Sequence, residues 1–147
     1  MRARHLLAAL ALLAACAPRA VVDTATTLAY APPPPSGAPF SPAVRVSGLI
    51  FLSGKLGTDA SGKLVPGGVR AETRQALQNI RAELDRHGGS MDRVVKCTVL
   101  LADIAEWGAM NEAYAPFFPG NRPARTAVAV AGLPLNARVE IECIAAA

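Results

Sequence analysis

Histidine, aromatic residues and charge are all scarce in this chain, and each scarcity removes a class of function. Its histidines are His5 and His87, and together with Cys16, Cys97 and Cys143 they show no paired spacing of the kind that holds a metal, so no metal site is expected. No glycine-rich phosphate loop is present either, and no organic cofactor is expected. Aromatic residues make up 5% of the 147 and never interleave with a basic run, which leaves nucleic-acid binding without its electrostatic and stacking platform. The apolar run at residues 6–15 falls short of the about 20 residues needed to cross a bilayer. No internal repeat is visible.

With 52% hydrophobic and 18% charged residues, the chain has the composition and length of one globular domain with one core. Part of the apolar excess is local. Met1-Arg2-Ala3-Arg4-His5 is a basic leader, followed by a short Leu/Ala stretch that ends at Leu13-Ala14-Ala15-Cys16. Residues 1–15 are therefore expected to be a signal peptide of lipoprotein type, with Cys16 as lipid acceptor and the protein exported, periplasmic and anchored to a membrane. An ordinary secretory signal with an incidental Cys16 is the alternative. Loss of residues 1–15 removes Arg2 and Arg4, so 15 basic groups become 13 against 11 acidic ones, a net +2 too mild to attract nucleic acid.

Residues 16–39 contain Ala31-Pro32-Pro33-Pro34-Pro35-Ser36-Gly37, lack an apolar period and read as an extended linker. The folded domain is expected over residues 40–147. Residues 43–47 alternate apolar and polar, Gly48 turns, and Leu49-Ile50-Phe51-Leu52 follows, which predicts a hairpin. Residues 55–68 are turn-rich and read as a loop. Val69, Thr73, Ala76, Leu77, Ile80 and Leu84 recur at three and four, predicting a helix over 69–87 that Gly88-Gly89 ends. Residues 91–101, with Val95, Cys97, Val99 and Leu101 alternating, read as a central strand. Asp103 caps a second helix whose Ile104, Trp107, Met110, Tyr114 and Phe117 form a core face. Strands over 125–131 and 138–145 complete the order β-β-α-β-α-β-β, an α+β design with two helices on one face of a mixed sheet. The other face carries enough apolar side chains to require burial by further copies of the chain. Cys97 and Cys143 lie inside apolar strands, either as free buried thiols or as a disulfide.

The chemistry concentrates near the carboxyl terminus. Arg122-Pro123-Ala124-Arg125-Thr126-Ala127-Val128 and Val139-Glu140-Ile141-Glu142-Cys143 put a guanidinium and two carboxylates on what read as neighbouring strands. The planar fork of Arg125 suits a small carboxylate ligand held by two parallel hydrogen bonds, and a nearby glutamate can position or activate water. A plain ion pair between Arg125 and Glu140 or Glu142 is the structural alternative.

These two segments, with Pro39-Phe40-Ser41, Ser53-Gly54, Val94-Val95-Lys96-Cys97-Thr98-Val99 and Asn111-Glu112-Ala113-Tyr114, resemble the RidA/YjgF family of enamine and imine deaminases, in family order over about residues 39–147. The resemblance implies a chorismate-mutase-like fold assembled as a homotrimer, with ligand clefts between neighbours and no cofactor. It implies hydrolytic deamination of small enamine or imine carboxylates to 2-oxo acids and ammonia. Arg125 corresponds to the family's carboxylate-gripping arginine, Glu140 to the residue that holds the attacking water, and Asn111, Phe40, Ser53 and Gly54 to residues lining the cleft. Three positions depart from the family pattern: Phe40 replaces a frequent Tyr, Lys55 a usual Gln, and Ala127 a frequent Cys. Because the expected export conflicts with a chemistry that serves cytosolic enzymes, the competing reading is a cell-envelope module that binds small carboxylates without significant catalysis.

Overall fold

The computed structural model describes residues 27–34 and 37–147. Within them, one mixed sheet contains β1 (Leu28–Tyr30), β2 (Ala43–Val46), β3 (Leu49–Leu52), β4 (Lys55–Leu56), β5 (Val94–Leu101), β6 (Ala124–Ala129) and β7 (Val139–Ala146). Two helices, α1 (Gly68–Arg86) and α2 (Trp107–Tyr114), cover one face. The strand order is β1-β2-β3-β7-β5-β6, with β4 also paired to β7; β5 and β6 run parallel and the other pairs antiparallel. The expected α+β design is what forms. Two strands arise where none was expected: β1 lies in the stretch read as linker, and β4 in the stretch read as loop. Beyond β1, the Ala31 N–H donates to the Ala43 carbonyl at 2.9 Å, and Ala31 is buried.

Helix α1 follows its three-four period closely: Leu77, Ile80 and Leu84 are fully buried against Ile50, Val99, Leu101 and Ile141 of the sheet. Each such side chain stabilises the fold by roughly 1.5–3 kcal/mol. Its end is a glycine-dependent cap. Gly88 takes φ 71°, and the Gly89 N–H returns to the Leu84 carbonyl at 2.9 Å. A side chain on Gly89 would meet Ile50 Cδ1 at 2.8 Å, so the cap and the helix-to-sheet contact need both glycines.

The second helix is shorter than its apolar spacing predicts. Asp103 does cap it, accepting from the Ala105 N–H at 2.9 Å, but residues Ile104–Glu106 and Ala115–Phe117 form 3-10 turns on either side of α2. Pro116, lacking an N–H, keeps the last turn out of the α-helical ladder. Met110, Ala113 and Tyr114 are buried, whereas Ile104 and Trp107 are exposed, so the expected core face extends only over its carboxyl-terminal half. A register shift between Val94 and Lys96 likewise buries Val94 and turns Val95 to solvent.

Cys97 and Cys143 face each other directly across β5 and β7, both buried, and they are bonded. Of the two states open from sequence, the structure has the disulfide. The cross-link joins residues 46 positions apart, and a loop of that size restricts the unfolded chain by about 4 kcal/mol. Reduction is therefore expected to lower the melting temperature clearly and to expose two additional thiols on denaturation. Equal melting with and without reductant, or unchanged thiol titration, would contradict the bridge.

Candidate active site

Strands β6 and β7 are not neighbours; β5 runs between them, and the register across these three strands decides where the chemistry points. Cys97 is opposite both Arg125 on β6 and Cys143 on β7, so Arg125 lies on the helix-covered face. Glu140 is opposite Leu100, one position out of phase, and therefore lies on the open face together with Glu142. Within one protomer the guanidinium and the two carboxylates are separated by the sheet. The ion pair weighed as the structural alternative is absent: among the described residues Arg125 makes no salt bridge.

The half-site on the helix side is a cavity of about 390 Å³ bordered by Asn111, Tyr114, Phe118, Arg122, Pro123 and Arg125. Helix α2 supplies Asn111 and Tyr114 one turn apart, and the entry to β6 supplies the arginines. Arg125 is held by soft contacts: its Cζ lies 4.7 Å from the Tyr114 ring centroid and 5.9 Å from that of Trp107, and Nη1 approaches Met110 Sδ at 3.9 Å. These contacts orient the fork and engage Nη1 only through the weak sulfur acceptor, so no oxygen acceptor among the described residues occupies the guanidinium. Asn111 Oδ1 and the Tyr114 hydroxyl are buried without a hydrogen-bond partner among the described residues. Burial pushes the Tyr114 hydroxyl up to about 12, against the lowering influence of Arg125, so the phenol stays protonated and can donate. Sequence reasoning placed Tyr114 in the core for its ring. The missed signal is its position one turn from Asn111 on a helix facing Arg125.

The other half-site forms where β3 passes into β4. The step at Ser53-Gly54 carries the chain alongside Glu140, and a Cβ on Gly54 would run into the Glu140 carboxylate. The missing side chain at Gly54 leaves the space in which the far end of Glu140 lies. Burial, and then the neighbouring Glu142 charge, raise the Glu140 carboxyl above the usual carboxylate range. Ser53 donates its hydroxyl to the Ser41 carbonyl at 2.7 Å, and its N–H to the Pro42 carbonyl at 3.1 Å, which ties the segment bearing Phe40 to this strand. Phe40, exposed, and Gly54 border a groove of about 750 Å³. Lys55 also borders it but directs its amine into α1, donating to Glu83 at 2.9 Å; His87 and Arg86 meet the same carboxylate at 3.0 and 3.2 Å. Burial of Glu83 opposes its ionisation, but the hydrogen bond and charge of Lys55, with His87 and Arg86, outweigh it and hold the carboxyl below the usual range. Ala127 sits opposite Val99 and packs against the core.

The structure thus brings Arg125 together with Asn111, and Gly54 together with Glu140 and Phe40, but keeps the two sets apart within a protomer. Among the described residues, no group of three or more His, Cys, Asp or Glu is placed to hold a metal, and no helix is long and apolar enough to cross a membrane. Cys16 lies outside the described residues.

Comparison with known proteins bears on this geometry. The family model described as Endoribonuclease L-PSP matches residues 31–147. A mouse protein, 2-iminobutanoate/2-iminopropanoate deaminase, is 51% identical over 108 residues, covering 73% of this chain and 80% of its own. Reactive Intermediate Deaminase A, chloroplastic, of Arabidopsis thaliana is 46% identical over 108 residues, covering 73% of this chain and 58% of its own. The crystal structure of yeast YEO7 superposes with a TM-score of 0.75 at 42% identity, covering 82% of this chain and 98% of its own. These relatives, a mammalian, a chloroplast and a yeast protein, contradict the exported, periplasmic lipoprotein expected from residues 1–16. With a family model matching residues 31–147 and relatives above 40% identity over more than two thirds of its length, the chain belongs to the RidA/YjgF family.

Proposed function

We propose that the protein hydrolyses small enamine and imine carboxylates to 2-oxo acids and ammonia, in clefts shared between copies of the chain. The observation that carries this reading is Arg125: an arginine without a carboxylate partner, oriented by two aromatic rings in a cavity where Asn111 Oδ1 and the Tyr114 hydroxyl also lack partners among the described residues. Such a constellation has the donors for a carboxylate and an acceptor for an imine N–H. The similarity to the mouse iminobutanoate/iminopropanoate deaminase supports the same chemistry.

Glu140 is on the far side of the sheet, so it reaches a substrate held by Arg125 only across a subunit boundary. The open face supports self-association. Tyr30, Val44, Phe51 and Ile144 follow one another in register across β1, β2, β3 and β7, giving an apolar row that continues into Lys96. A closed homotrimer buries three such faces symmetrically and sets one protomer's Arg125 against its neighbour's Glu140 and Gly54.

In that cleft Arg125 and the Tyr114 hydroxyl bind the substrate carboxylate, and Asn111 Oδ1 accepts the imine N–H. An enamine first takes a proton on its terminal carbon to become the imine. Glu140 takes a proton from water as the water oxygen bonds to the imine carbon and passes that proton to the imine nitrogen, giving a carbinolamine. Transfer of the carbinolamine's hydroxyl proton to its nitrogen, through the same carboxylate, then forms the carbonyl as the C–N bond breaks and ammonia leaves. A carboxylate with a raised pKa is a stronger base than an ordinary glutamate, which suits this proton transfer near neutral pH.

Arg125→Ala is expected to lower kcat/KM for 2-iminopropanoate by roughly 10²-fold through loss of two charge-assisted hydrogen bonds, with the fold retained by circular dichroism. If the wild type never exceeds the buffer rate yet binds pyruvate, the chain is a carboxylate-binding module instead. Because Glu140 acts ionised, kcat should fall as pH drops through its elevated pKa. Glu142→Gln, which removes the second cause of that elevation, should move this acid limb to lower pH, whereas an unmoved limb would detach it from Glu140. Gly54→Ala displaces only the far end of the Glu140 side chain, so the protein should fold while kcat drops about 10²-fold from the misplaced carboxylate. Wild-type kcat in that variant would remove Glu140 from the reaction.

A further inference from the structure

The cavity that holds Arg125 contains a second guanidinium. Arg122 borders the same space of about 390 Å³, is exposed, and makes no ion pair or hydrogen bond among the described residues. Three residues of chain span at most ~10 Å, and Pro123 stiffens the segment between the two, so both forks serve one pocket. The rest of its lining carries no acidic group. Asn111 and Tyr114 are neutral, and Glu112, beside Asn111 on α2, is paired with Arg70. In the shared cleft a neighbour's Glu140 adds one carboxylate against these two guanidiniums, so positive charge remains in excess before substrate binds.

From two guanidiniums bordering one cavity, Arg125 held by aromatic rings and Arg122 at the exposed rim, neither paired with a carboxylate among the described residues, we infer that the preferred substrate is an imino dicarboxylate, the imine of an acidic amino acid, with its α-carboxylate on Arg125 and its distal carboxylate on Arg122. This inference rests on the deaminase reading above and names the substrate class of that site. The size of the effect follows from exposure. A charge pair at a solvent-exposed rim changes affinity by about fivefold and weakens with salt, whereas the sheltered contact at Arg125 contributes more to binding. Arg122 should therefore act on KM and on selectivity rather than on kcat.

Ammonia release from freshly generated 2-iminoglutarate and 2-iminopropanoate tests this. Wild-type kcat/KM is expected to favour the dicarboxylate by about fivefold at low salt, through KM, with the ratio shrinking as salt is raised. Arg122→Ala should bring the ratio near one, and Arg122→Glu should reverse it. Lys63→Ala, the same loss of charge on the exposed turn before α1, should leave the ratio in place. A wild-type ratio at or below one, a preference that survives Arg122→Ala, or an equal drop in Lys63→Ala overturns the assignment while leaving the deaminase reading intact. If neither imine is hydrolysed, the deaminase reading fails and this inference falls with it.

Discussion

Two-residue alternation along β7 is the constraint on which the rest of the structure depends. Val139, Ile141, Cys143 and Ala145 enter the core, and Glu140, Glu142 and Ile144 are committed to the opposite face. Because β7 pairs with β3, β4 and β5 at once, its register sets the phase of the whole sheet. A slip by one residue would expose the core row and bury two carboxylates, each at a cost far above the few kcal/mol that separate folded from unfolded chains. The buried cross-link from Cys143 to Cys97 locks β7 to β5 in the one register that avoids this.

The same alternation divides the chemistry. Transmitted through β5, it places Arg125 under α2 and Glu140 on the bare face, each in surroundings that suit its task. The arginine has aromatic rings and no carboxylate beside it, so its charge remains available. The glutamate has burial and a like charge beside it, so its proton affinity rises. Within one protomer the sheet therefore keeps the guanidinium and the carboxylate from neutralising each other.

How far the residues alone carried this picture varied from element to element. Helix α1 was legible to within a residue at each end, because its apolar positions repeat at the helical period and two glycines stop it. Arg125, Asn111, Gly54 and Glu140 were legible as candidates through their local strings. Helix α2 was less so: its apolar spacing continues to Phe117, but Pro116 breaks the backbone ladder and the first turn is not covered, leaving Ile104 and Trp107 in solvent. The value of Tyr114 was hidden because a tyrosine on an apolar helix face serves the core by its ring and the site by its hydroxyl, and periodicity reports only the first. The compartment was misjudged because an amino-terminal leader pattern says nothing of the domain that follows, and the relatives of that domain include mammalian, yeast and chloroplast proteins.

What the sequence determined by itself was the two helices and five of the strands, the α+β class, and the identity of the candidate site residues. Those depend on spacings of two, three and four residues and on side-chain chemistry, both of which are local. Tertiary structure alone decided that β5 separates β6 from β7, that Cys97 meets Cys143, that the Ser53 hydroxyl is spent on Ser41, and that Arg125 and Glu140 face opposite ways. Each of these follows from pairing between residues far apart in the chain, where the relative phase of two strands is fixed by the packing of the whole sheet and not by the pattern within either strand.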